Sequence, residues 1–279
     1  MRIVSWNVEN LAPSLNGAAP SLPEIHARVG CPAALCLQEV RIRAHDAVLL
    51  ARLRTALPGY DCHCSLNRDA KNAAHRGGRA YGVVTFIDAA LCAQPRTFDF
   101  DREGRVVASV IDSMKLALFN VYAVNGTAKP YRDPQTGAVD GDRHAFKRRF
   151  IEQLGVEASA LQRAGLELVL IGDWNVSRTR LDTFPRLRTE PPHALARAEF
   201  NDAFMPRLGL VDAFRALHPD ARRYTWFNRR ARGGRLDAAR VDFALVSAGL
   251  APRVSDAGID ETRAARMRSD HAPLWITLD

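Results

Sequence analysis

The stretch LELVLI, Leu166 to Ile171, runs directly into Gly172-Asp173-Trp174-Asn175. Six residues this rich in Leu, Ile and Val predict a buried strand, and the Gly, Asp and Asn that follow indicate its end at the rim of a sheet. On an extended backbone, side chains two residues apart point to the same side, so Asp173 and Asn175 can address one water, metal ion or phosphate. The alternative is an ordinary turn, in which Asp and Asn are also common.

Polar residues also stand beside other apolar segments. Asn7 follows Ile3-Val4-Ser5-Trp6, Glu39 follows Leu35 to Gln38, Asp242 sits among Val241 and Phe243, and Asp270-His271 precedes the last apolar segment. One such residue is usually a capped turn or a satisfied core group. Their recurrence favours a shared site, because buried carboxylates need a partner or a cation.

The donor types of these residues indicate which cation such a site would take. Carboxylate oxygens and Asn carbonyls suit a hard ion such as Mg²⁺ or Mn²⁺. The five cysteines are odd in number and lack the spacing of zinc ligands. We interpret them as reduced thiols of a cytosolic protein.

The composition bounds the class of protein. The chain has 279 residues, 47% of them hydrophobic, with no obvious linker or repeat, so we predict a single domain over residues 1–279. No run of about 18 apolar residues is present, and the N-terminus does not resemble an export signal. We therefore expect neither a membrane-spanning nor an exported protein.

Strand-like and helix-like segments alternate along the chain. This alternation predicts an α/β architecture, and hairpin-like pairs between residues 80 and 124 indicate mixed sheets. Two packed sheets with helices outside would accommodate all the strands. The predicted strands are Ile3–Val8, Ala34–Leu37, Tyr60–Ser65, Tyr81–Ile87, Val106–Ile111, Leu116–Val124, Leu166–Ile171, Tyr224–Phe227, Val241–Val246 and Leu274–Leu278, and the helices are Ala44–Ala56, Arg143–Arg163 and Pro192–Leu208.

Basic residues indicate a polyanionic partner. The formal net charge is +8 and comes almost wholly from arginine, whose planar fork matches phosphate oxygens. A GC-rich genome, which uses Arg in place of Lys, would give a similar bulk composition, so local clustering is the better guide. Arginines between Arg222 and Arg235 are interleaved with Tyr224, Trp226 and Phe227. Basic and aromatic side chains on one loop favour nucleic-acid binding, and a solvated turn is the alternative.

The order of these motifs resembles a known family. The series is Trp6-Asn7, Gln38-Glu39, Tyr81-Gly82-Val83, Tyr122 through Asn125, Gly172-Asp173-Trp174-Asn175, Val211-Asp212-Ala213-Phe214, Arg240-Val241-Asp242 and Ser269-Asp270-His271. It is similar to the exonuclease III type of apurinic/apyrimidinic endonuclease, within the endonuclease/exonuclease/phosphatase superfamily. The resemblance covers nearly the whole chain. Tyr224 to Phe227 and Val211 to His218 favour this DNA-repair branch over the lipid phosphatases.

The resemblance implies a four-layered α/β sandwich that cleaves the DNA backbone 5′ to abasic sites with Mg²⁺ or Mn²⁺. It also implies 3′-5′ exonuclease and 3′-phosphodiesterase activity. The expected partner is double-stranded DNA with abasic sites or blocked 3′ ends, bound by a monomer in the bacterial cytosol, at the nucleoid.

The resemblance also implies roles for individual residues. Glu39 resembles the principal metal ligand, with Asn7 and Asp270 near it. The implied catalytic residues are Asp173 for the attacking water, Asn175 for that water or the phosphate, Tyr122 for the phosphate or leaving oxygen, and His271, paired with Asp270 or Asp242, for the scissile phosphate. The other seven histidines match no catalytic position, and we predict structural or solvated roles for them.

For DNA binding, Trp226 and Phe227 resemble the aromatic wall beside an extruded abasic sugar, and Arg229, Arg230 and Arg240 are predicted DNA contacts. The chain departs from the family after Asn7, where Val8 to Pro13 replaces a Gly-Ile-Arg loop. The turn-rich stretch from Val124 to Phe146 also looks longer than usual, and it could contact DNA or be a surface excursion.

Two other functions are compatible with the sequence. One is a superfamily phosphatase acting on a small or lipid phosphoester. The other is a catalytically silent relative that binds nucleic acid. It is disfavoured by the joint presence of Asn7, Glu39, Asp173, Asn175, Asp242, Asp270 and His271.

Overall fold

Two six-stranded sheets form the framework of the protein. The computed structural model describes residues 1–69, 81–133, 136–183, 191–229 and 237–279. The strands are β1 (Arg2–Asn7), β2 (Ala34–Gln38), β3 (Tyr60–Leu66), β4 (Gly82–Asp88), β5 (Gln94–Arg96), β6 (Val106–Ile111), β7 (Leu116–Tyr122), β8 (Pro130–Arg132), β9 (Val139–Asp142), β10 (Glu167–Asp173), β11 (Leu210–Asp212), β12 (Trp226–Phe227), β13 (Ala238–Ala239), β14 (Asp242–Ser247), β15 (Val254–Ile259) and β16 (Leu274–Leu278).

The helices lie between these strands in the sequence. They are α1 (Ala12–Leu15), α2 (Leu22–Arg28), α3 (Ala47–Thr55), α4 (Arg143–Arg163), α5 (Pro191–Glu199), α6 (Met205–Arg207), α7 (Ala213–Leu217) and α8 (Arg263–Arg266), with a π-helical turn at Phe200–Phe204. Short 3₁₀ turns occupy Ala89–Leu91, Asp112–Met114 and Ala251–Arg253.

Both large sheets are mixed. The first has the order β15-β16-β1-β2-β4-β3, and the second has the order β11-β14-β10-β7-β6-β5. The pairs β1–β2 and β7–β10 are parallel, and their neighbours are antiparallel. Each sheet is therefore built around one central parallel pair.

Three apolar layers hold the sheets and helices together. The middle layer contains residues of both sheets, including Ile3, Cys36, Leu118 and Ile171. A second layer joins the outer face of the second sheet to α4 and the π-helical turn, and a third joins the first sheet to α2 and α3. This order of helices, sheet, sheet and helices is a four-layered α/β sandwich, as the sequence predicted.

All ten predicted strands are present, with shifts at their ends. The structure adds six strands that sequence periodicity did not predict: β5, β8, β9, β11, β13 and β15. The longest of these, β15, has the sequence VSDAGI, in which apolar and polar residues do not alternate regularly. It pairs with β16 at one edge of the first sheet, so tertiary pairing determines it.

The helix predictions were accurate for α4 and less so elsewhere. The bounds of α4 match the prediction at both ends. Helix α3 begins at Ala47 because the Asp46 side chain accepts a hydrogen bond from Leu49 N (3.0 Å) and caps it. The helix predicted over Pro192–Leu208 is interrupted by the π-helical turn, which faces the core with Phe200 and Phe204. The short helices α1, α2, α7 and α8 were not predicted.

The register of the second sheet aligns three predicted site residues. Asp173 pairs with Tyr122 on one side and with Asp242 on the other. Gly172 makes this alignment possible, since a Cβ atom there would lie 1.9 Å from the Val121 carbonyl oxygen. The quoted stretch therefore ends where the backbone of β7 leaves no room for a side chain on β10.

Arg240 is a buried structural residue, and the prediction that it contacts DNA was wrong. Its exposed fraction is 0%. The guanidinium donates to both carboxylate oxygens of Asp212 (3.1 and 2.7 Å) and to Asp182 (2.7 Å). Two further arginines bind these acids: Arg178 donates to Asp212 and Arg215 donates to Asp182. A guanidinium enclosed in this way cannot reach a phosphate.

In the described part of the chain, every helix is too short or too polar to span a membrane.

We predict that Asp212→Asn destabilises the protein strongly. Asn can still cap α7, as Asp212 does, but it leaves the buried Arg240 charge without its bidentate partner. Such a loss costs about 3–5 kcal/mol of the free energy of unfolding, measured by urea denaturation at pH 7.

The matched control is Asp140→Asn, because the Asp140–Arg149 ion pair (3.0 Å) is exposed. It should cost less than about 1 kcal/mol, and equal losses in the two variants would contradict the prediction.

Burial alone would raise the pKa of Asp212, but Arg240 and Arg178 lower it to about 2. The wild-type stabilisation is therefore present above the ordinary Asp range and is lost as the pH falls towards 2.

Candidate active site

A cleft of about 420 Å³ opens where β1, β7 and β10 end. Eight of the predicted site residues line it: Asn7, Glu39, Tyr122, Asp173, Asn175, Trp226, Asp270 and His271. Asp242 is hydrogen bonded to His271. The fold thus gathers residues from both sheets and from the loops between them.

Asp173 is buried on the floor of this cleft and is hydrogen bonded from two directions. Asn7 Nδ2, at the end of β1, donates to Asp173 Oδ2 (3.0 Å). The Asn175 main-chain N–H donates to Asp173 Oδ1 (2.9 Å), and Asn175 Nδ2 lies 3.4 Å from Oδ2. These donors fix the orientation of the carboxylate.

Asn175 reaches Asp173 by a different backbone path from the one predicted. Strand β10 ends at Asp173, and Asn175 adopts a left-handed conformation with φ of 51°. A tight turn therefore brings the two side chains together, not an extended backbone. Trp174, between them, is buried in the core against Phe200 and Phe204.

His271 is held by Asp242. Its Nδ1 lies 2.8 Å from Asp242 Oδ2, and its Nε2 lies 3.9 Å from Asp173 Oδ2. Thr225 Oγ1 fixes Asp242 by accepting its main-chain N–H (3.0 Å). Of the two partners that the resemblance left open for His271, the structure selects Asp242.

The electrostatics of these three residues are linked. Burial would lower the pKa of His271, but Asp242 and Asp173 raise it to about 10. Burial and the nearby Asp242 raise the pKa of Asp173 to about 7, against the opposing effect of His271. His271 is therefore a cation at neutral pH, with both ring nitrogens protonated.

Glu39 and Tyr122 form a second group in the cleft. The Tyr122 hydroxyl donates to Glu39 Oε2 (3.1 Å), and Asn7 Nδ2 lies 3.4 Å from the same oxygen. Burial and Glu39 raise the pKa of Tyr122 well above its usual value, so the phenol keeps its proton. Arg41 Nη2 donates to the other oxygen, Glu39 Oε1 (2.6 Å).

Trp226 and Asp270 form one wall of the cleft. Trp226 Nε1 donates to Asp270 Oδ2 (3.2 Å), and Trp226 also forms a β-bridge with His271. The next residue, Phe227, packs its ring under the Arg266 guanidinium at 4.1 Å. The two aromatic residues of the predicted wall thus have different neighbours.

Arg229 lies at the rim of the cleft. It is exposed, forms an ion pair with Glu9 and donates to the Arg268 carbonyl (2.8 Å). Arg230, the other arginine predicted to contact DNA here, lies outside the described residues.

Two sets of side chains could hold a metal ion. Ligand atoms of Asp173, Asp242 and His271 lie within 4.8 Å of one another. Without a cation, the Asp242 and His271 side chains of this set bind each other, Oδ2 to Nδ1 at 2.8 Å. The second set contains the acids and amide predicted from the sequence, Asn7, Glu39 and Asp270, which all line the cleft.

Sequence reasoning missed four basic residues that line the cleft: Arg41, Lys147, His193 and Arg197. A signal for Lys147 was present, because it falls in register with the buried face of α4 formed by Phe150, Leu154, Ala158 and Leu161. His193 and Arg197 are four residues apart and share a face of α5. His193 was predicted to be structural or solvated.

The stretch from Val124 to Phe146 contains a small hairpin. Strands β8 and β9 pair with each other, and Tyr131 stacks on Phe146 with ring centroids 4.1 Å apart. Asn125, at its start, lines the cleft. Contact between this stretch and DNA stays a prediction.

Comparison with known proteins agrees with this geometry. The chain is 25% identical over its full length to the mouse DNA-(apurinic or apyrimidinic site) endonuclease 2, of which it spans 60%. It is 36% identical over 121 residues, 39% of this chain and 44% of the relative, to exodeoxyribonuclease III of Haemophilus influenzae. The chain thus spans less than two thirds of the length of these relatives.

Solved structures show the same fold over the whole chain. A 3′-5′ exonuclease of Neisseria meningitidis is 25% identical with a TM-score of 0.71, and both chains are covered completely. A Neisseria 3′ phosphatase bound to a product DNA hairpin is 26% identical with a TM-score of 0.73, covering 100% of this chain and 99% of that one.

The family described as the endonuclease/exonuclease/phosphatase family matches residues 4–271, which includes every site residue discussed above. Together with the relatives, this match confirms the resemblance predicted from the motifs. The chain therefore belongs to the endonuclease/exonuclease/phosphatase family.

Proposed function

We propose that the protein is a metal-dependent DNA-repair phosphodiesterase that cleaves the backbone 5′ to abasic sites. We include 3′-5′ exonuclease and 3′-phosphodiesterase activity, which need the same phosphate chemistry. One observation carries the proposal: Asp173 lies between amide donors and a cationic His271, in a cleft walled by Trp226. The names of the mouse, Haemophilus and Neisseria relatives support this function over a small-molecule or lipid phosphatase.

Asp173 is the residue best placed to handle the attacking water. Its pKa, raised by burial and by Asp242 to about 7, makes the carboxylate a stronger proton acceptor than an ordinary Asp. The Asn7 and Asn175 donors hold it in one orientation. Asn175 Nδ2 also donates to the Ala123 carbonyl (2.9 Å). Without substrate, Asn175 therefore serves mainly to hold the Asp173 carboxylate in place.

His271 would bind the scissile phosphate. With Nδ1 on Asp242, the protonated Nε2 faces Asp173 and the cleft. A charged donor there stabilises negative charge that develops on the non-bridging oxygens. The Tyr122 phenol, which keeps its proton, is a second donor on the opposite side, where it can contact the phosphate or the leaving oxygen.

Glu39 and Asp270, with Asn7, would hold the cation, which we propose to be Mg²⁺ or Mn²⁺. Oxygen donors of this kind match a hard divalent ion. Asn7 Nδ2 donates to Asp173 Oδ2 (3.0 Å) and lies 3.4 Å from Glu39 Oε2, and Arg41 Nη2 donates to Glu39 Oε1 (2.6 Å), so donors already compensate the negative charge of Glu39. When bound, the cation would neutralise charge on the phosphate.

Trp226 would lie against the abasic sugar, and Arg229 would contact a DNA phosphate. Trp226 is fixed by its hydrogen bond to Asp270 and by the β-bridge to His271, so its ring keeps a defined place beside the reacting groups. Phe227 would support the wall through Arg266. We propose the same phosphate-binding role for Arg230.

We expect the substrate to be double-stranded DNA with an abasic site or a blocked 3′ end, bound by a monomer in the bacterial cytosol. The similarity to the exodeoxyribonuclease III of Haemophilus influenzae supports a bacterial setting.

A labelled duplex with one abasic site tests the proposed function directly. We expect a single nick 5′ to the lesion with Mg²⁺ and none with excess chelator. Glu39→Ala should need more Mg²⁺ for half-maximal rate, because it removes a carboxylate ligand. Turnover of inositol phosphates without nicking of this duplex would instead identify a small-molecule phosphatase.

Two substitutions test the assigned roles of Asp173 and His271. Asp173→Asn removes the proton acceptor and His271→Ala removes the phosphate donor, so each should lower the nicking rate about 100-fold or more. Duplex binding, measured by fluorescence anisotropy, should change little. His218→Ala is the control, since His218 binds the Ala257 carbonyl (2.9 Å) away from the cleft. Unchanged nicking in both site variants would remove these residues from the mechanism.

The role of Trp226 can be separated from its hydrogen bond. We expect Trp226→Ala to reduce cleavage at abasic sites about 10-fold or more and to leave binding of undamaged duplex nearly unchanged. Trp226→Phe keeps a ring but loses the bond to Asp270, so its effect should be smaller. Trp275→Phe, which loses a bond to Asp256 at a distant edge, is the matched control. If Trp226→Ala weakened binding of undamaged duplex as much as it reduced cleavage at abasic sites, a role of Trp226 at the lesion would be contradicted.

A further inference from the structure

Lys147 is a buried lysine that the proposed mechanism does not use. It lies in the first turns of α4, on the face that packs against the second sheet, and only 2% of its surface is exposed. The other buried residues of this helix carry apolar side chains or, at Gly155, no side chain. Burying an ammonium group is costly unless partners compensate its charge, so its position calls for a specific interaction.

The ammonium group of Lys147 binds the segment that follows Asp173. Nζ donates to the main-chain oxygen of Asn175 at 2.6 Å. Burial lowers the pKa of Lys147 to about 8, and the nearby Asp173 opposes this shift. The group is therefore mostly protonated at neutral pH, and the nearby Asp173 favours its charged form.

Asn175 needs such support because of its backbone conformation. Its φ of 51° lies in the left-handed region, which costs free energy for a residue with a side chain. In this conformation its N–H points back to Asp173 Oδ1 (2.9 Å), and its Nδ2 binds the Ala123 carbonyl (2.9 Å). The hydrogen bonds to Asp173 therefore depend on a strained residue.

A second cation holds the same segment two residues later. Arg197, on α5, donates from Nε to the Ser177 carbonyl and from Nη2 to Ser177 Oγ (3.2 Å). Helices α4 and α5 thus each bind one carbonyl of the turn after β10. Of the two cations, Lys147 acts on the residue that contacts Asp173.

We propose that Lys147 is a positioning residue for the hydrolytic reaction: its ammonium group holds Asn175 in the left-handed conformation that orients the Asp173 carboxylate. The inference rests on the proposed phosphodiesterase function. It predicts that Lys147 affects the chemical step and not the binding of DNA.

Lys147→Met tests this, because it keeps the length and the apolar stem and removes the ammonium group. On the abasic duplex we expect kcat to fall about 10- to 100-fold, with KM and the Kd for uncleaved duplex changed less than threefold. The control on the same helix is Gln162→Leu, which loses a side-chain bond to the Leu208 carbonyl (2.9 Å) far along α4. Its kcat should match the wild type.

A double-mutant cycle with Asn175→Gly distinguishes positioning from direct contact with substrate. Glycine adopts the left-handed conformation without support. If Lys147 acts through Asn175, adding Lys147→Met to Asn175→Gly should change kcat less than twofold. If Lys147 touches the phosphate, the full effect of Lys147→Met should persist in this background and appear in KM, and the proposal would be wrong.

Chemical rescue covers the case in which the substitution disturbs folding. Lys147→Ala removes three methylenes and the ammonium group, and n-propylammonium supplied in solution should restore at least tenfold in kcat, whereas n-propanol should not. Wild-type kcat in Lys147→Met, or loss of kcat in Lys147→Ala that propylammonium does not restore, would overturn the proposal. If the wild type itself cleaves no duplex, the proposed function is wrong, and the inference about Lys147 is wrong with it.

Discussion

The hydrogen bond from Asn7 to Asp173 joins the two sheets at the point where the cleft opens. Asn7 ends β1 at the centre of one sheet, and Asp173 ends β10 at the centre of the other. The bond can form only if both strands stop at the same edge of the sandwich and in the right register. The buried contact between Gln38 Nε2 and Asn120 Oδ1 (2.7 Å) fixes that register deeper between the sheets.

Charge balance is the second constraint on the site. Asp173 and Asp242 are neighbours across two paired strands, and both are buried. Two such carboxylates repel each other in a low-dielectric interior, and His271 between them compensates by holding a proton. The same compensation appears in the Arg240 network, where three arginines neutralise two buried acids. One network is sealed from solvent and is structural, and the other opens to the cleft.

Much of this arrangement could be predicted from particular residues. The run Leu166 to Ile171 gave the central strand, and polar residues at strand ends gave Asn7, Glu39, Asp173 and His271. Arg240 was misassigned because an arginine beside a strand gives no sign of whether it faces solvent or a buried acid. Lys147 was missed because a long helix with one buried lysine looks like an ordinary amphipathic helix until its partner is known.

The sequence by itself determined ten of the strands, the long helix α4, the family and eight of the residues that line the cleft, because these follow from hydrophobic periodicity and from motif order. Only the tertiary structure decided the partners: Asp242 and not Asp270 for His271, acids and not DNA for Arg240, and the left-handed turn that brings Asn175 back to Asp173. Those choices depend on strand register and on burial, which bring together residues far apart in the chain and which no local pattern of residues encodes.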